Sequence, residues 1–114
     1  MQSTQITLHN IRRSPSLSAR IRELSERLET HHPGILNVRV AVSHDTQRPA
    51  KGGTYSVSVR VRVPGREIVA SHEHDEDVYV AVRDAFSAMR RELEQVAEAA
   101  RVAARQKAVA EVQG

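Results

Sequence analysis

One strongly alternating segment, residues 55–63, constrains the fold of this 114-residue chain more than any other feature. Its odd positions are Tyr or Val, and its even positions are Ser or Arg. A strict period of two is typical of a strand with one buried and one solvated face. Pro64-Gly65 then suits a turn, and residues 67–71 predict the returning strand. We therefore expect a hairpin within a sheet that buries only one of its faces.

The hydrophobic period changes after the acidic segment Asp75-Glu76-Asp77, where a long helix is predicted to begin. Its apolar positions recur every three or four residues on one face, as Val78, Val82, Ala85, Met89, Leu93 and Val96. We expect Asp75 or Asp77 to cap its N-terminus, because a carboxylate accepts free N–H groups there. From Ala97 onward the chain is rich in Ala, the best helix former. The helix is therefore predicted to continue as a protruding segment that frays or docks on a partner.

The N-terminal half predicts a strand followed by a helix. Residues 5–9 alternate briefly, as expected for a short strand. Ser14-Pro15 suits a helix start, because Ser accepts a backbone N–H at the N-cap and Pro fits the first turn. The helix should end before residues 31–34 (His-His-Pro-Gly), since a residue that precedes Pro is disfavoured in a helix. Its apolar face comprises Leu17, Ile21, Leu24 and Leu28.

A further strand and a loop complete the order of elements. Residues 38–42 alternate Val with polar or small residues and predict a strand. Residues 45–54 contain Pro and two Gly without periodicity, which predicts a mobile loop. The order is therefore β-α-β-β-β-α, an α+β chain with a long C-terminal helix. We divide it into one domain, residues 1–96, and an Ala-rich extension or frayed tail, residues 97–114.

The composition argues against several classes of protein. The chain contains no Cys, which removes disulfides, zinc knuckles and thiol chemistry. It has no apolar run near the ~20 residues that span a bilayer, and no secretory signal pattern. A Gly-rich phosphate loop, a nucleophile elbow and an HExxH motif are also missing. We therefore expect a soluble cytoplasmic protein that is not an enzyme and needs no cofactor or small-molecule substrate.

Basic residues are concentrated toward the N-terminus. Residues 1–66 contain eleven Lys or Arg and four acidic residues, whereas residues 67–114 contain six and ten. This asymmetry can orient the molecule toward a polyanion. Fifteen of the seventeen basic residues are Arg, which binds phosphate bidentately, although biased codon usage would also enrich Arg.

The Arg residues fall on two kinds of predicted surface. If the odd positions of residues 55–63 face the helices, Arg60 and Arg62 lie on the outer face of the sheet, where Arg39 is expected to join them. Five more lie on helix flanks: Arg20, Arg27, Arg83, Arg90 and Arg91. Such residues neutralise nucleic-acid phosphates, although a merely solvated basic surface would look the same.

The aromatic residues indicate which nucleic acid fits best. Proteins that bind single strands stack bases on exposed aromatic rings. Here Tyr55, Tyr79 and Phe86 mostly fall at expected core positions. Structured RNA, recognised by shape and phosphates, therefore suits the sequence better than single strands.

The segment His72-Glu73-His74-Asp75 admits a metal-binding interpretation. On a continuing strand the two imidazoles would share a face, and Asp75 or Asp77 could add an oxygen ligand. Metal sites usually need three or four fixed ligands, and no further ligand is evident in the sequence. We favour the simpler interpretation, in which the acidic residues cap the following helix, and predict no metal site.

Taken together, these motifs resemble the family of ribosome hibernation promoting factors and ribosome-associated translation inhibitors. The most specific part is the strand that ends Val69-Ala70-Ser71, followed by a polar turn and Asp77-x-Tyr79-x-Ala81-Val82. Arg91-x-Leu93 matches further along the helix, and Pro15, residues 27–29 and residues 38–42 also fit. The resemblance covers roughly residues 5–96.

The resemblance implies a fold similar to double-stranded-RNA-binding domains, with two helices on one face of a four-stranded sheet. It also implies binding to small-subunit rRNA in the channel of mRNA and tRNA, which inhibits translation and stabilises idle ribosomes under stress. Basic residues on the helices carry that contact in the family, and Arg27 and Arg91 match them here. A short-form member without a ribosome-pairing domain is expected. The alternative function is a protein-interaction module whose C-terminal helix self-associates or docks on a partner.

Overall fold

The structure, a computed structural model, describes residues 3–46, 53–75 and 77–113 of the chain. Its elements are β1 (Ser3–His9), α1 (Pro15–His31), β2 (Asn37–Asp45), β3 (Thr54–Val63), β4 (Arg66–Asp75) and α2 (Val78–Gln113). The predicted order β-α-β-β-β-α is confirmed. The loop predicted between the second and third strands lies mainly outside the described residues.

The four strands form one mixed sheet in the order β1-β2-β3-β4. β1 pairs with β2 in parallel, because the chain crosses over through α1 between them. The remaining pairs are antiparallel, with Val40 opposite Val59 and Val59 opposite Ala70. The turn between β3 and β4 is tight, and Gly65 adopts a φ of 83° that disfavours residues with a side chain.

The hydrophobic core lies between one face of this sheet and the two helices. From the sheet it takes the alternating Val residues predicted from the sequence, Val38, Val40, Val42, Val57, Val59 and Val61. α1 contributes Leu17, Ile21 and Leu28, and α2 contributes its predicted stripe, including Val82, Met89 and Leu93. The residues between the strand Val residues point to the other face, where Arg39, Arg60 and Arg62 are exposed. The sheet therefore has an inner, apolar face and an outer, polar face.

α1 begins as its sequence predicts. The Ser14 hydroxyl accepts a hydrogen bond from the backbone N–H of Leu17 at 3.3 Å, and Pro15 occupies the first helical position. The helix ends at His31, one residue later than expected, and His32 then donates its backbone N–H to the Leu28 carbonyl at 3.0 Å. Pro33 follows, so the residue before it leaves the helical conformation.

β4 is longer than the sequence analysis predicted, and this corrects the assignment of residues 72–75. Instead of forming a turn, these residues continue the strand to Asp75 and pair with the beginning of β3. The segment lacks an apolar alternation, because its inward-facing residues are His72 and His74, although His72 pairs with the buried Val57. Of the two candidate caps, Asp77 caps α2, and its carboxylate accepts from the N–H groups of Tyr79 (2.9 Å) and Val80 (3.2 Å).

α2 continues to Gln113, so the prediction of a long C-terminal helix is confirmed. Its 36 residues span about 54 Å at ~1.5 Å per residue, most of the molecule's 62 Å length. The extension beyond residue 97 is largely exposed, and the side chain of Val109 is 53% accessible. Over the described residues, neither α1 nor α2 combines the length and apolar character needed to cross a bilayer.

One carboxylate of α1 lies in an unfavourable environment. Glu29 is only 7% exposed, and burial, assisted by the negative charge of Glu26, raises the pKa of Glu29 above its ordinary value. A raised folded-state pKa means that the folded chain binds the proton more tightly than the unfolded chain. The contribution of this group to stability is therefore greatest at acidic pH and is lost as pH rises through the folded-state pKa.

We expect Glu29→Gln to separate this effect from other titrations. The variant should gain thermal stability relative to the parent as pH rises from about 4 to about 7, because the neutral amide avoids the cost of a buried charge. Melting temperatures of both proteins across that range measure the difference. The exposed Glu92→Gln on α2 removes the same charge as a control, and an equal pH trend there would contradict the assignment to Glu29.

A second prediction concerns the N-terminal cap of α2. Asp77→Ala should lower the free energy of unfolding by about 1 kcal/mol, because two N–H groups of the first turn lose their acceptor. Asp77→Asn keeps an acceptor at the same place and should lose much less. Urea titrations of the three proteins provide the comparison, and equal losses in both variants would show that the charge matters rather than the cap.

Candidate nucleic-acid interface

Four of the seven predicted RNA-binding arginines line one groove between α1 and α2. Arg20 and Arg27 come from α1, and Arg83 and Arg90 come from α2. The groove has a volume of about 410 Å³ and is also lined by Leu24, Leu28, His31, Phe86, Ser87 and Glu94. Its chemistry is thus an apolar floor with cationic walls, which suits an anionic ligand that brings some apolar surface with it.

Helix geometry explains why these four side chains meet. On each helix the two arginines are seven residues apart, which is about two turns and about 10.5 Å along the axis. On α1 each Arg directly precedes a buried residue, Ile21 or Leu28. On α2 each Arg directly follows one, Val82 or Met89. The arginines therefore occupy the facing flanks of two helices whose buried stripes rest on the same sheet.

Each groove arginine has a carboxylate near it. Glu23 binds both α1 arginines, with N–O distances of 3.1 Å to Arg20 and 2.7 Å to Arg27. Arg83 lies 3.1 Å from Asp84, and Arg90 lies 3.9 Å from Glu94. Exposed ion pairs of this kind contribute only about 0–1 kcal/mol each. The guanidinium groups are thus held in position but remain available to a stronger anion.

Arg91 occupies a different side of α2. It is rotated by about 100° from Arg90, as consecutive helical residues are. It shares its side with Asp84, seven residues earlier, whose carboxylate lies 3.4 Å from Nε2 of His72 on β4. Arg91 is exposed and does not line the groove, so the structure separates it from the four groove arginines.

Arg60 and Arg62 lie on the outer face of the sheet, on the side away from the helices. Arg60 and Arg39 both bind the carboxylate of Glu67, at 3.2 Å and 2.9 Å. Hydrogen bonding from Arg60, followed by that from Arg39, lowers the pKa of Glu67 below its ordinary value. The seven predicted residues therefore form a groove cluster of four, a flanking Arg91 and an outer-face pair.

The positions of the aromatic residues are only partly as predicted. Phe86 is buried at the floor of the groove, and Tyr55 stacks on His44 with ring centroids 4.2 Å apart. Tyr79 is 44% exposed, so its expected core position is wrong. It lies one residue past the apolar stripe of α2, and its hydroxyl lies 3.1 Å from that of Ser16 at the start of α1. Phe86 packs into the core, so the exposed ring that lines the groove is the imidazole of His31.

Comparison with known proteins identifies the fold and the family. The family model for sigma 54 modulation protein / S30EA ribosomal protein matches residues 4–101. The chain belongs to this family. This confirms the resemblance that the motifs indicated, and the long C-terminal helix extends past the matched region.

Solved structures resemble this family member in fold. A ribosomal subunit interface protein from Coxiella burnetii aligns with a TM-score of 0.73 and 21% identity, over 86% of this chain and 99% of the other. The N-terminal domain of Thermus thermophilus Protein Y aligns with a TM-score of 0.68 and 19% identity, over 84% and 99%. Among curated protein sequences, none is significantly similar to this family member.

The histidines on β4 have their own environment. His72 and His74 lie on the inner face of the strand, with His72 beside Asp84 and His74 opposite Tyr55. In the part of the chain that the structure describes, no cluster of three or more His, Asp or Glu is arranged to hold a metal ion. His72 is thus accounted for by its contact with the Asp84 carboxylate of α2, at 3.4 Å.

Sequence reasoning missed two acidic residues that shape the two basic surfaces. Glu94 closes one end of the groove, and Glu67 links two arginines on the outer face. A third, Glu23, orders the α1 arginines. The i,i+3 and i,i+4 spacings of Glu23 to Arg20 and Arg27 are visible in the sequence. The Glu67 contacts are not visible, because they depend on the strand register.

Proposed function

We propose that this chain binds structured rRNA of the small ribosomal subunit through the groove between α1 and α2. By occupying the channel for mRNA and tRNA, it would inhibit translation and stabilise idle ribosomes. The observation that carries the proposal is the convergence of Arg20, Arg27, Arg83 and Arg90 around one groove. Four guanidinium groups at fixed spacing form a surface that complements several linked phosphates.

The chemistry of the groove favours folded RNA over single strands. Phosphate contacts supply affinity without reading sequence, and they position a protein on a nucleic-acid backbone. Phe86 is buried at the floor, so the imidazole of His31 is the exposed ring in the groove, whereas single-strand binders stack successive bases on several rings. Recognition of an RNA surface by shape and phosphates is the mode that these groups support.

Membership of the family supports the ribosomal assignment. The matched family is described in part as an S30EA ribosomal protein, and one structural neighbour is a ribosomal subunit interface protein. Such a role is cytoplasmic and requires binding and occlusion rather than catalysis. Neither a cofactor nor a small-molecule substrate takes part in it.

We expect Arg27→Gln/Arg90→Gln to weaken binding to purified small ribosomal subunits by about 100-fold. Each lost charged hydrogen bond costs about 1.5–3 kcal/mol, or at least about tenfold in affinity. Co-sedimentation at low salt and at about 0.3 M salt measures the loss, and the parent should bind near-stoichiometrically and weaken with salt.

A closely matched control exists in the same chain. Arg101→Gln/Arg105→Gln removes two exposed arginines that also pair with a glutamate, Glu98, but lie on the extension of α2. This variant should bind within a few-fold of the parent. Equal losses in both double variants would reduce the effect to net charge and contradict the groove as the binding site.

A variant at Arg91 tests how far the proposed RNA interface extends around α2. The family resemblance assigns it to RNA binding, and no ion pair holds it among the described residues. We place it at the periphery of the interface, so Arg91→Gln should reduce affinity less than Arg90→Gln does. A larger loss for Arg91→Gln in the same assay would move the centre of the interface away from the groove.

A second candidate function rests on the extension of α2. Its exposed Val109 and Ala-rich surface provide a helix face for self-association or for a partner protein. The truncation that separates the two functions should follow Arg101, because Ala97 and Ala100 line a cleft with Ile35 and Val63 and contribute to the domain.

For the chain truncated after Arg101, we expect unchanged binding to the small subunit. Self-association is tested by measuring the molecular size of the truncated and the full chain in solution over a range of protein concentrations. A size that rises with concentration only in the full chain, together with no ribosome binding by either, would favour the interaction module over the proposed function.

A further inference from the structure

We propose that the outer face of the sheet carries a second phosphate-binding site, centred on Arg39 and Arg62, that binds the backbone of a second RNA segment. The site uses residues of β1, β2 and β3 and none from the groove. The inference goes beyond the proposed function, because it makes the domain a two-sided RNA binder.

The outer face has a hollow in which donors from three strands converge. Gln5, Asn37, Arg39 and Arg62 line a depression of about 410 Å³. The strand register places Gln5 beside Arg39, and Asn37 beside Arg62. Two guanidinium groups and two side-chain amides, all able to donate hydrogen bonds, therefore surround one space. This is the donor set that a phosphate group requires.

The charges at the hollow remain largely available. Arg62 is exposed and has no ion-pair partner among the described residues. Arg39 donates to Glu67 through one nitrogen, at 2.9 Å, and a guanidinium has five N–H donors. Glu67 is shared with Arg60, so three arginines at this end of the face are balanced by one carboxylate. An approaching phosphate therefore meets a surface with net positive charge.

The rest of the outer face favours a polyanion over a protein partner. Next to the arginines, the register aligns Thr7, Ala41, Ser58 and Ser71 in one row across the four strands. Hydroxyl groups such as these contact phosphates in nucleic-acid complexes. Val69 is the large apolar side chain exposed on the described part of this face, and an aromatic anchor typical of protein interfaces is lacking there.

The two basic surfaces point in opposite directions. The groove lies on the helical layer and the hollow lies on the far side of the sheet, and packed layers of this kind are about 10 Å apart. A straight RNA segment that fills the groove therefore cannot reach Arg62. Two segments, or two arms of one folded RNA, are needed to occupy both surfaces.

The test is energy transfer between two RNA duplexes. Donor-labelled and acceptor-labelled duplexes of about 20 base pairs exceed the ~16 base pairs that a shape-reading domain spans. The full chain should bring them together and produce transfer. The variant Arg39→Gln/Arg62→Gln should still bind one duplex through the groove, but it should lose most of the energy transfer. Its affinity for RNA at the outer face should fall at least tenfold.

Three comparisons make the outcome decisive. Arg27→Gln/Arg90→Gln should also lose transfer, whereas Arg101→Gln/Arg105→Gln should keep it, and melting curves confirm that each variant is folded. Unchanged transfer in Arg39→Gln/Arg62→Gln overturns the second site and leaves the groove untouched. Normal binding and transfer in Arg27→Gln/Arg90→Gln would instead overturn the proposed function.

Two further experiments test the role of Glu67 and the identity of the ligand. Glu67→Gln releases Arg39 and Arg60, so transfer should appear at a lower protein concentration than in the parent. Inorganic phosphate, followed by the side-chain amide signals of Gln5 and Asn37, tests binding of the free ion. Phosphate-induced shifts without transfer between duplexes would mean a small-anion site and overturn the assignment to RNA.

Discussion

The separation of the two faces of the sheet is the constraint on which the rest of the structure depends. Val40 and Val59 lie opposite each other on the inner face, and Arg39 and Arg60 lie opposite each other on the outer face. A register slip of one residue would exchange the faces of a strand and bury guanidinium groups in the core. Burying an unpaired charge costs far more free energy than any single contact gains. The strand register therefore also determines that the arginines lie on the outer face.

The burial of the inner face also determines where the groove lies. The inner face binds the apolar stripes of α1 and α2, which sets the rotation of each helix about its own axis. Once Ile21 and Met89 are buried, Arg20 and Arg90 have to lie on the flanks that face each other. The same holds two turns away for Arg27 and Arg83. The cationic walls of the groove are thus a consequence of core packing, and no loop is needed to position them.

Much of this was predictable from periodicity, and the failures have identifiable causes. The valine alternation and the helical stripe determined the element order, the core and the outer-face position of Arg60, because burial enforces both patterns. The length of β4 was missed because the inward-facing positions of residues 72–75 are the polar His72 and His74, so the segment shows no apolar alternation even though His72 pairs with the core residue Val57. Tyr79 was misassigned because one step along a helix changes its direction by about 100°. The contacts of Glu67 depend on register, which a sequence shows only indirectly.

The acidic residues next to the arginines bear on what the surfaces can select. Glu23, which pairs with two groove arginines, and Glu67, which pairs with two on the outer face, mean that an arriving anion has to compete with a carboxylate already in place. A free small anion gains one contact and faces that competition alone. A polyanion brings neighbouring phosphates at high effective concentration once the first contact forms, so its gains add along the chain. Weak intramolecular ion pairs of this kind therefore favour a polyanion over small free anions, while they keep the arginine side chains ordered.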